Sequence, residues 1–295
     1  MFGNPYLQIH FSVFLWGFTA ILGKLISLAA LPLVFWRVLI VALCLLFWLP
    51  VWRQLRRIEG RDFRLAVGNG VLVVLHWLCF YGSIKAANAS VAATCMAMAP
   101  VCLSVVEPLW RRQPFALRDL GVALACVPGV ALVVGGIPDS MHWGLLLGVL
   151  AAFLAALFGL VNKSLAMRMP AMALTTIQMS TGALVLAATL PFWGWFGASL
   201  PLPDTRDLVW LVVLALACTL LPFALSLVAL RKISAFSAQL AVNLEPVYAI
   251  AIAALWLGEG GELGWSFYAG VALILGAVLG YALWPRRSPA GSVPK

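Results

Sequence analysis

The chain has 295 residues, of which 64% are hydrophobic and 10% charged, with a formal net charge of +9. Soluble domains carry about a quarter charged residues, so this composition excludes one. The positive balance does not indicate a nucleic-acid partner, because the basic residues fall in short connections between apolar runs.

Runs of bilayer-spanning length lie at about 6–28, 32–52, 65–86, 90–110, 119–136, 143–166, 172–194, 208–230, 236–257 and 265–284. They predict an all-α integral membrane protein with ten transmembrane helices. The first run follows almost no positive charge and lacks an A-x-A cleavage site, so it reads as a helix that stays. With both termini cytoplasmic, fifteen Lys and Arg residues from Arg53 to Lys295 fall on the inner side, against Lys85 and Arg206 outside. That bias obeys the positive-inside rule and tests the helix count, since dropping one helix scrambles it. The six cysteines all lie within apolar runs, and none forms a CxxC pair, so neither a disulfide framework nor a zinc site is indicated.

The chain repeats itself. Ala89, Ala92, Pro100 and Val101 match Ala235, Ala238, Pro246 and Val247 at one constant offset. Gly121-Val-Ala-Leu124 recurs as Gly270-Val-Ala-Leu273, and Gly17 and Lys24 before Pro32 echo Gly159 and Lys163 before Pro170. The halves are 1–138 and 139–285, followed by a cytoplasmic tail, 286–295. Five helices is an odd number, so the second half enters the membrane upside down. Two inverted five-helix repeats are the plan of secondary transporters, with the substrate held near the midplane between repeats.

The run 236–257 carries Asn243, Glu245 and Pro246. A carboxylate in a membrane segment marks a functional site by default. Glu245 and Pro246 are expected near the middle of a helix that lines a cavity. Gln239 and Asn243 share a face at i, i+4 and are candidates to hydrogen-bond substrate; gluing helices together is the plainer role. Pro100 and Pro246, at equivalent positions, are candidate hinges. Arg37, some five residues into its helix, is expected to face the bundle, where it would neutralise a substrate carboxylate or pair with Glu245. Lys24 is more readily a residue that snorkels to the headgroups. Glu107 is either a proton site or a salt-bridge partner of Arg111. His76 is either a proton relay or a satisfied core histidine. Trp77 and Tyr81 share a face and either stack on substrate or simply pack.

Trp16-Gly17, Lys24, Pro32, Arg37, Pro100-Val101, Glu245-Pro246-Val247, Gly258-Glu259 and Gly270-Val-Ala-Leu273, taken in order, resemble the EamA-type members of the drug/metabolite transporter superfamily. The resemblance covers nearly the whole chain. It implies a ten-helix inverted-repeat carrier in a bacterial inner membrane, usually an exporter of amino acids or other small metabolites. Two departures stand out. Gly258-Glu259 in the second half faces Arg112-Gln113 in the first, and Glu107 has Ala253 as its counterpart.

The expected function is therefore secondary active export of a small metabolite or amino acid by alternating access, with Glu245 as a candidate for coupling to protons. An uncoupled facilitator fits the sequence equally well. The alternative class is an integral-membrane enzyme acting on lipid. It needs polar catalytic residues at one interface, where the inner loops offer mostly arginines with Asp62 and Asp119. No G-x-x-x-x-G-K-[ST] loop, H-E-x-x-H or His/Cys ligand cluster is present, so no enzyme activity, cofactor or metal is expected. The expected partners are a small-molecule substrate, membrane lipid and protons. Both halves share one chain, which allows a monomer or a homodimer.

Overall fold

The computed structural model describes residues 4–112, 114, 115, 117–197, 199–233, 241, 242, 244–258, 261 and 263–283. Among these there is no strand. The helices are α1 (Pro5–Leu25), α2 (Ala30–Leu46), α3 (Pro50–Leu55), α4 (Gly60–Ala86), α5 (Ala89–Met96), α6 (Ala99–Arg111), α7 (Leu117–Gly135), α8 (His142–Ala166), α9 (Ala171–Thr189), α10 (Thr205–Ala215), α11 (Leu221–Ala229), α12 (Glu245–Ile252) and α13 (Trp265–Leu283). Six helical stretches are long and apolar enough to cross a membrane: Pro5–Leu25, Gly60–Ala86, Ala89–Trp110, Asp139–Ala166, Ala171–Trp195 and Thr205–Ala229. Shorter apolar helices occupy Ala30–Leu46, Leu124–Gly135, Glu245–Leu257 and Trp265–Ala277. Leu202, Trp195, Leu255 and Trp265 are exposed, as on a surface that faces lipid.

Three proline effects shape the segments. The run 32–52 does not continue as one helix, because Pro50 has no N–H for the Leu46 carbonyl. The chain turns there, α3 begins at Pro50, and the indole Nε1 of Trp52 donates to Leu46 O at 2.9 Å in its place. The other two breaks revise the expectation of Pro246 in mid-helix. Pro100 and Pro246 each sit second in a helix, in the first turn, where a missing N–H costs nothing. Each helix follows a tight i→i+3 turn. Met98 N bonds Cys95 O at 2.9 Å before α6, and Leu244 N bonds Ala241 O at 3.0 Å before α12. Glu245 therefore opens a helix rather than sitting in the middle of one.

Contacts between the halves come in matched pairs. α4 packs on α8 as α11 packs on α1; α5 and α6 pack on α8 as α12 packs on α1; α4 packs on α9 as α10 packs on α2. α5 packs on α12, and α2 with α9 and α7 with α13 are pairs of equivalent helices from the two halves. The last pair approaches through glycines. A Cβ at Gly136 would stand 2.2 Å from the Phe267 nitrogen, and one at Gly270 would stand 2.5 Å from the Gly129 carbonyl oxygen.

The two ends of the bundle differ. At one, Asp207 accepts the Ser27 N–H at 2.9 Å and the Ser27 hydroxyl at 2.6 Å. Lys85 Nζ donates to the Ile26 carbonyl, and Trp36 Nε1 donates to Pro201 O at 3.2 Å. At the other end, Arg231 donates to the Ala166 carbonyl at 2.9 Å and to the Met169 carbonyl, and Arg168 pairs with Asp62 at 2.9 Å. Arg53, Arg56, Arg57, Arg61 and Arg64 lie on the connection and helix start at this second end.

Candidate functional site

A cavity of about 220 Å³ lies between the halves. Its wall takes Trp16 and Thr19 from α1, Arg37 from α2, His76 and Trp77 from α4, Leu103 and Glu107 from α6, Asn162 and Lys163 from α8, Phe223 and Ser226 from α11, and Glu245 and Pro246 from α12. The lining runs from Arg37 toward Glu107, Lys163 and Leu230 at the arginine-rich end. None of its residues comes from the loops at the Ser27–Asp207 end. Met96 and Val242, whose carbonyls lie four residues before Pro100 and Pro246, both belong to the wall. The two proline breaks thus face the same space.

Arg37 is 1% exposed. Its Nε donates to Thr219 Oγ1 at 2.7 Å and its Nη1 to Tyr81 Oη at 2.7 Å. Its guanidinium carbon lies 3.8 Å from the centroid of the Trp77 ring, a cation–π contact. Trp77 in turn rests edge-on against Phe223, with centroids 5.7 Å apart. A guanidinium has five N–H donors. Two are used, and the others have no partner among the described residues. No carboxylate among the described residues forms an ion pair with Arg37, although Glu245 lines the same cavity.

Local sequence explains the geometry. Pro222 cannot donate to the carbonyl of Cys218, and the chain widens into a π turn at Leu216–Leu220. That turn presents Thr219, whose hydroxyl donates to Leu214 O at 2.7 Å and accepts from Arg37. Tyr81 fits because α1 has Gly23 beside it, where a Cβ would meet the Tyr81 ring at 2.6 Å.

The remaining candidates divide as follows. Tyr81 is fully buried behind Arg37 and does not line the cavity, so it positions the guanidinium. Trp77 does line it, with one face committed to Arg37. His76 Nδ1 donates to Ala151 O at 2.8 Å, and its ring stacks on Phe80, 6.0 Å between centroids, at the cavity wall. Glu107 and Lys163 are both on the wall. Lys24 is exposed, away from the bundle interior. Gln239, Asn243 and Glu259 lie outside the described residues, and so does the side chain of Arg111.

Sequence reasoning missed Thr219 and Asn162. Asn162 Oδ1 accepts from Asn69 Nδ2 at 2.9 Å and from Gln178 Nε2 at 2.7 Å, tying α4, α8 and α9 together. Three amides in apolar runs were the available signal. Interhelical hydrogen bonds in lipid contribute about 0.6–2 kcal/mol each. Asn162→Leu is therefore expected to destabilise the protein by about 1–3 kcal/mol, because it removes the acceptor of Gln178 Nε2 and leaves Asn69 Nδ2 with the Phe158 carbonyl at 3.3 Å. Unfolding in detergent measures this. A transport defect with unchanged unfolding would instead make Asn162 a substrate contact.

A search of curated proteins finds no match. Among solved structures 22 chains match. One, described as "Crystal structure of protein", superposes with a TM-score of 0.62 at 14% identity, covering 93% of this chain and 94% of the other, a likeness of fold alone. The model of the EamA-like transporter family matches twice, over residues 4–135 and 142–283. The chain is a multi-pass membrane protein and belongs to the EamA-like transporter family.

Proposed function

We propose that the protein is a secondary active carrier that exports a small zwitterionic metabolite, an amino acid being the simplest, by alternating access. One observation carries this reading. The cavity between the halves holds a buried guanidinium and a carboxylate that share the space without pairing. Arg37 is suited to a substrate carboxylate, Glu245 to an ammonium group or a proton, and Trp16, Trp77 and Phe223 to an apolar side chain. The matched contacts and the double family match support two repeats, 1–138 and 139–285, inverted in the membrane. The charge difference between the ends supports cytoplasmic termini and an inner-membrane location.

In this reading the conformation described is closed at the Ser27–Asp207 end and lined toward the cytoplasmic end. The outer seal has a direct test. In a variant lacking the six native cysteines and carrying Thr19→Cys, Asp207→Ala is expected to increase labelling by an impermeant maleimide added outside. The Ser27 bonds and the adjacent Lys85 charge then lose their anchor. Unchanged labelling would remove Asp207 from the gate.

The carrier itself is tested in proteoliposomes with a pH gradient and a panel of amino acids and organic cations. One solute is expected to accumulate with the gradient in the wild type, and Glu245→Gln is expected to abolish the accumulation while leaving exchange. If no solute moves down any gradient, the carrier reading fails. If both proteins move solute identically, transport is uncoupled and Glu245 is structural.

A further inference from the structure

A second cavity, of about 550 Å³, opens at the arginine-rich end. It lies between α3, the start of α4 and the connection from α8 to α9. Its lining holds Arg53, Arg57, Arg61 and Arg168 against two acids, Glu59 and Asp62. Asp62 is already engaged by Arg168 at 2.9 Å. Arg53 and Arg57 have no ion-pair partner among the described residues. No residue of this cavity lines the central one.

The surroundings say what such a basic pocket faces. α3 is six residues long, too short to cross a bilayer. It packs on α9, with Val51 fully buried and Leu55 against an apolar cluster that includes Met169 and Leu174. Just before it, Phe47 is 81% exposed and Leu49 78%, and Trp52 and Phe63 are exposed beside the arginines. Exposed aromatics next to arginines are the pattern of a segment at the headgroup level. Apolar surface that acyl chains can cover is thus continuous with a cationic pocket large enough for a glycerophosphate.

We propose that this pocket binds the phosphodiester headgroup of an anionic phospholipid. The shared chemistry is phosphate recognition by guanidinium pairs, which bind phosphate oxygens in a bidentate fashion. The adjoining exposed Phe47, Leu49 and Trp52 assign the phosphate to a lipid rather than to a free ion. Basic pockets at the cytoplasmic ends of membrane helices are suited to such headgroups. The site is separate from the transport cavity, and its test does not depend on what that cavity carries.

The full-length protein, delipidated in neutral detergent, is titrated with short-chain phosphatidylglycerol, phosphatidylcholine or inorganic phosphate, and adducts are counted by native mass spectrometry. Phosphatidylglycerol is expected to bind at least about tenfold more tightly than phosphatidylcholine. Inorganic phosphate at the same concentration is expected not to displace it. Arg53→Gln with Arg57→Gln is expected to lower phosphatidylglycerol affinity about tenfold. Arg56→Gln with Arg64→Gln removes the same charge from the same end, outside the pocket, and is expected to change affinity less than about twofold. All four positions are exposed, so both variants fold. Equal losses from the two pairs would mean diffuse surface charge and overturn the site. Displacement by inorganic phosphate would overturn the lipid assignment.

Discussion

Replacing Arg37 by lysine is expected to lower the initial rate of transport by about 10–100-fold, the loss of one charge-assisted hydrogen bond of roughly 1.5–3 kcal/mol. The substitution keeps the charge and removes the shape. The guanidinium carbon lies 3.8 Å from the Trp77 ring centroid while Nε and Nη1 reach Thr219 and Tyr81 at once, both at 2.7 Å. An ammonium is a point charge and cannot stack and fork together. Thr219→Val and Tyr81→Phe each leave the guanidinium one partner short, and each is expected to cost less than Arg37→Lys. The decisive comparison is counterflow in proteoliposomes beside thermal unfolding of the same preparations. A lysine variant that unfolds earlier but transports at the wild-type rate would reduce Arg37 to a structural cation. A variant of normal stability that no longer moves substrate would place the guanidinium at the substrate.

Gly136→Val is expected to be the most destabilising single change at the α7–α13 contact. Overpacking a core costs about 1–3 kcal/mol when side chains can yield. Here the obstacle is backbone. The added Cβ would lie 2.2 Å from the nitrogen and 2.7 Å from the Cα of Phe267, and Gly136 O also accepts the Gly264 N–H at 2.9 Å. The helices must therefore separate, which uncovers the cluster of Val133, Phe267, Val271 and Ile274. Gly135→Val is the control, since nothing lies within 4 Å of a Cβ there. Thermal unfolding in detergent should show a large drop for the first and a small one for the second. Equal effects would mean that helix propensity, not the close approach, governs both.

These two positions also show what kind of information the chain carries. Gly136 sits among many glycines in apolar sequence, and nothing local separates it from Gly135, although one touches backbone and the other touches nothing. Arg37 is different. A charge some five residues inside an apolar run cannot be hidden except in the bundle, so its inward position was legible. Its partners were not, because Tyr81 and Thr219 are 44 and 182 residues away. Tyr81, left open between stacking on substrate and plain packing, is fully buried and donates no face to the cavity. Pro246 was expected to bend a helix and instead begins one, as Pro100 does.

The sequence by itself determined the class. Long apolar runs must be helices in lipid because the backbone has no water to bond, and the few charges must sit at the ends or in a cavity. The offset of Pro100 and Pro246 disclosed the repeat, since proline is scarce enough among apolar letters to mark register. Tertiary structure alone decided which face of each helix looks inward. In a soluble helix an apolar stripe points to the core. Here the core face and the lipid face are both apolar, so periodicity loses its direction. Close approach of glycines, amide bridges such as Asn69–Asn162–Gln178 and the buried Arg37 guanidinium then choose the packing, and those are contacts between residues far apart in the chain.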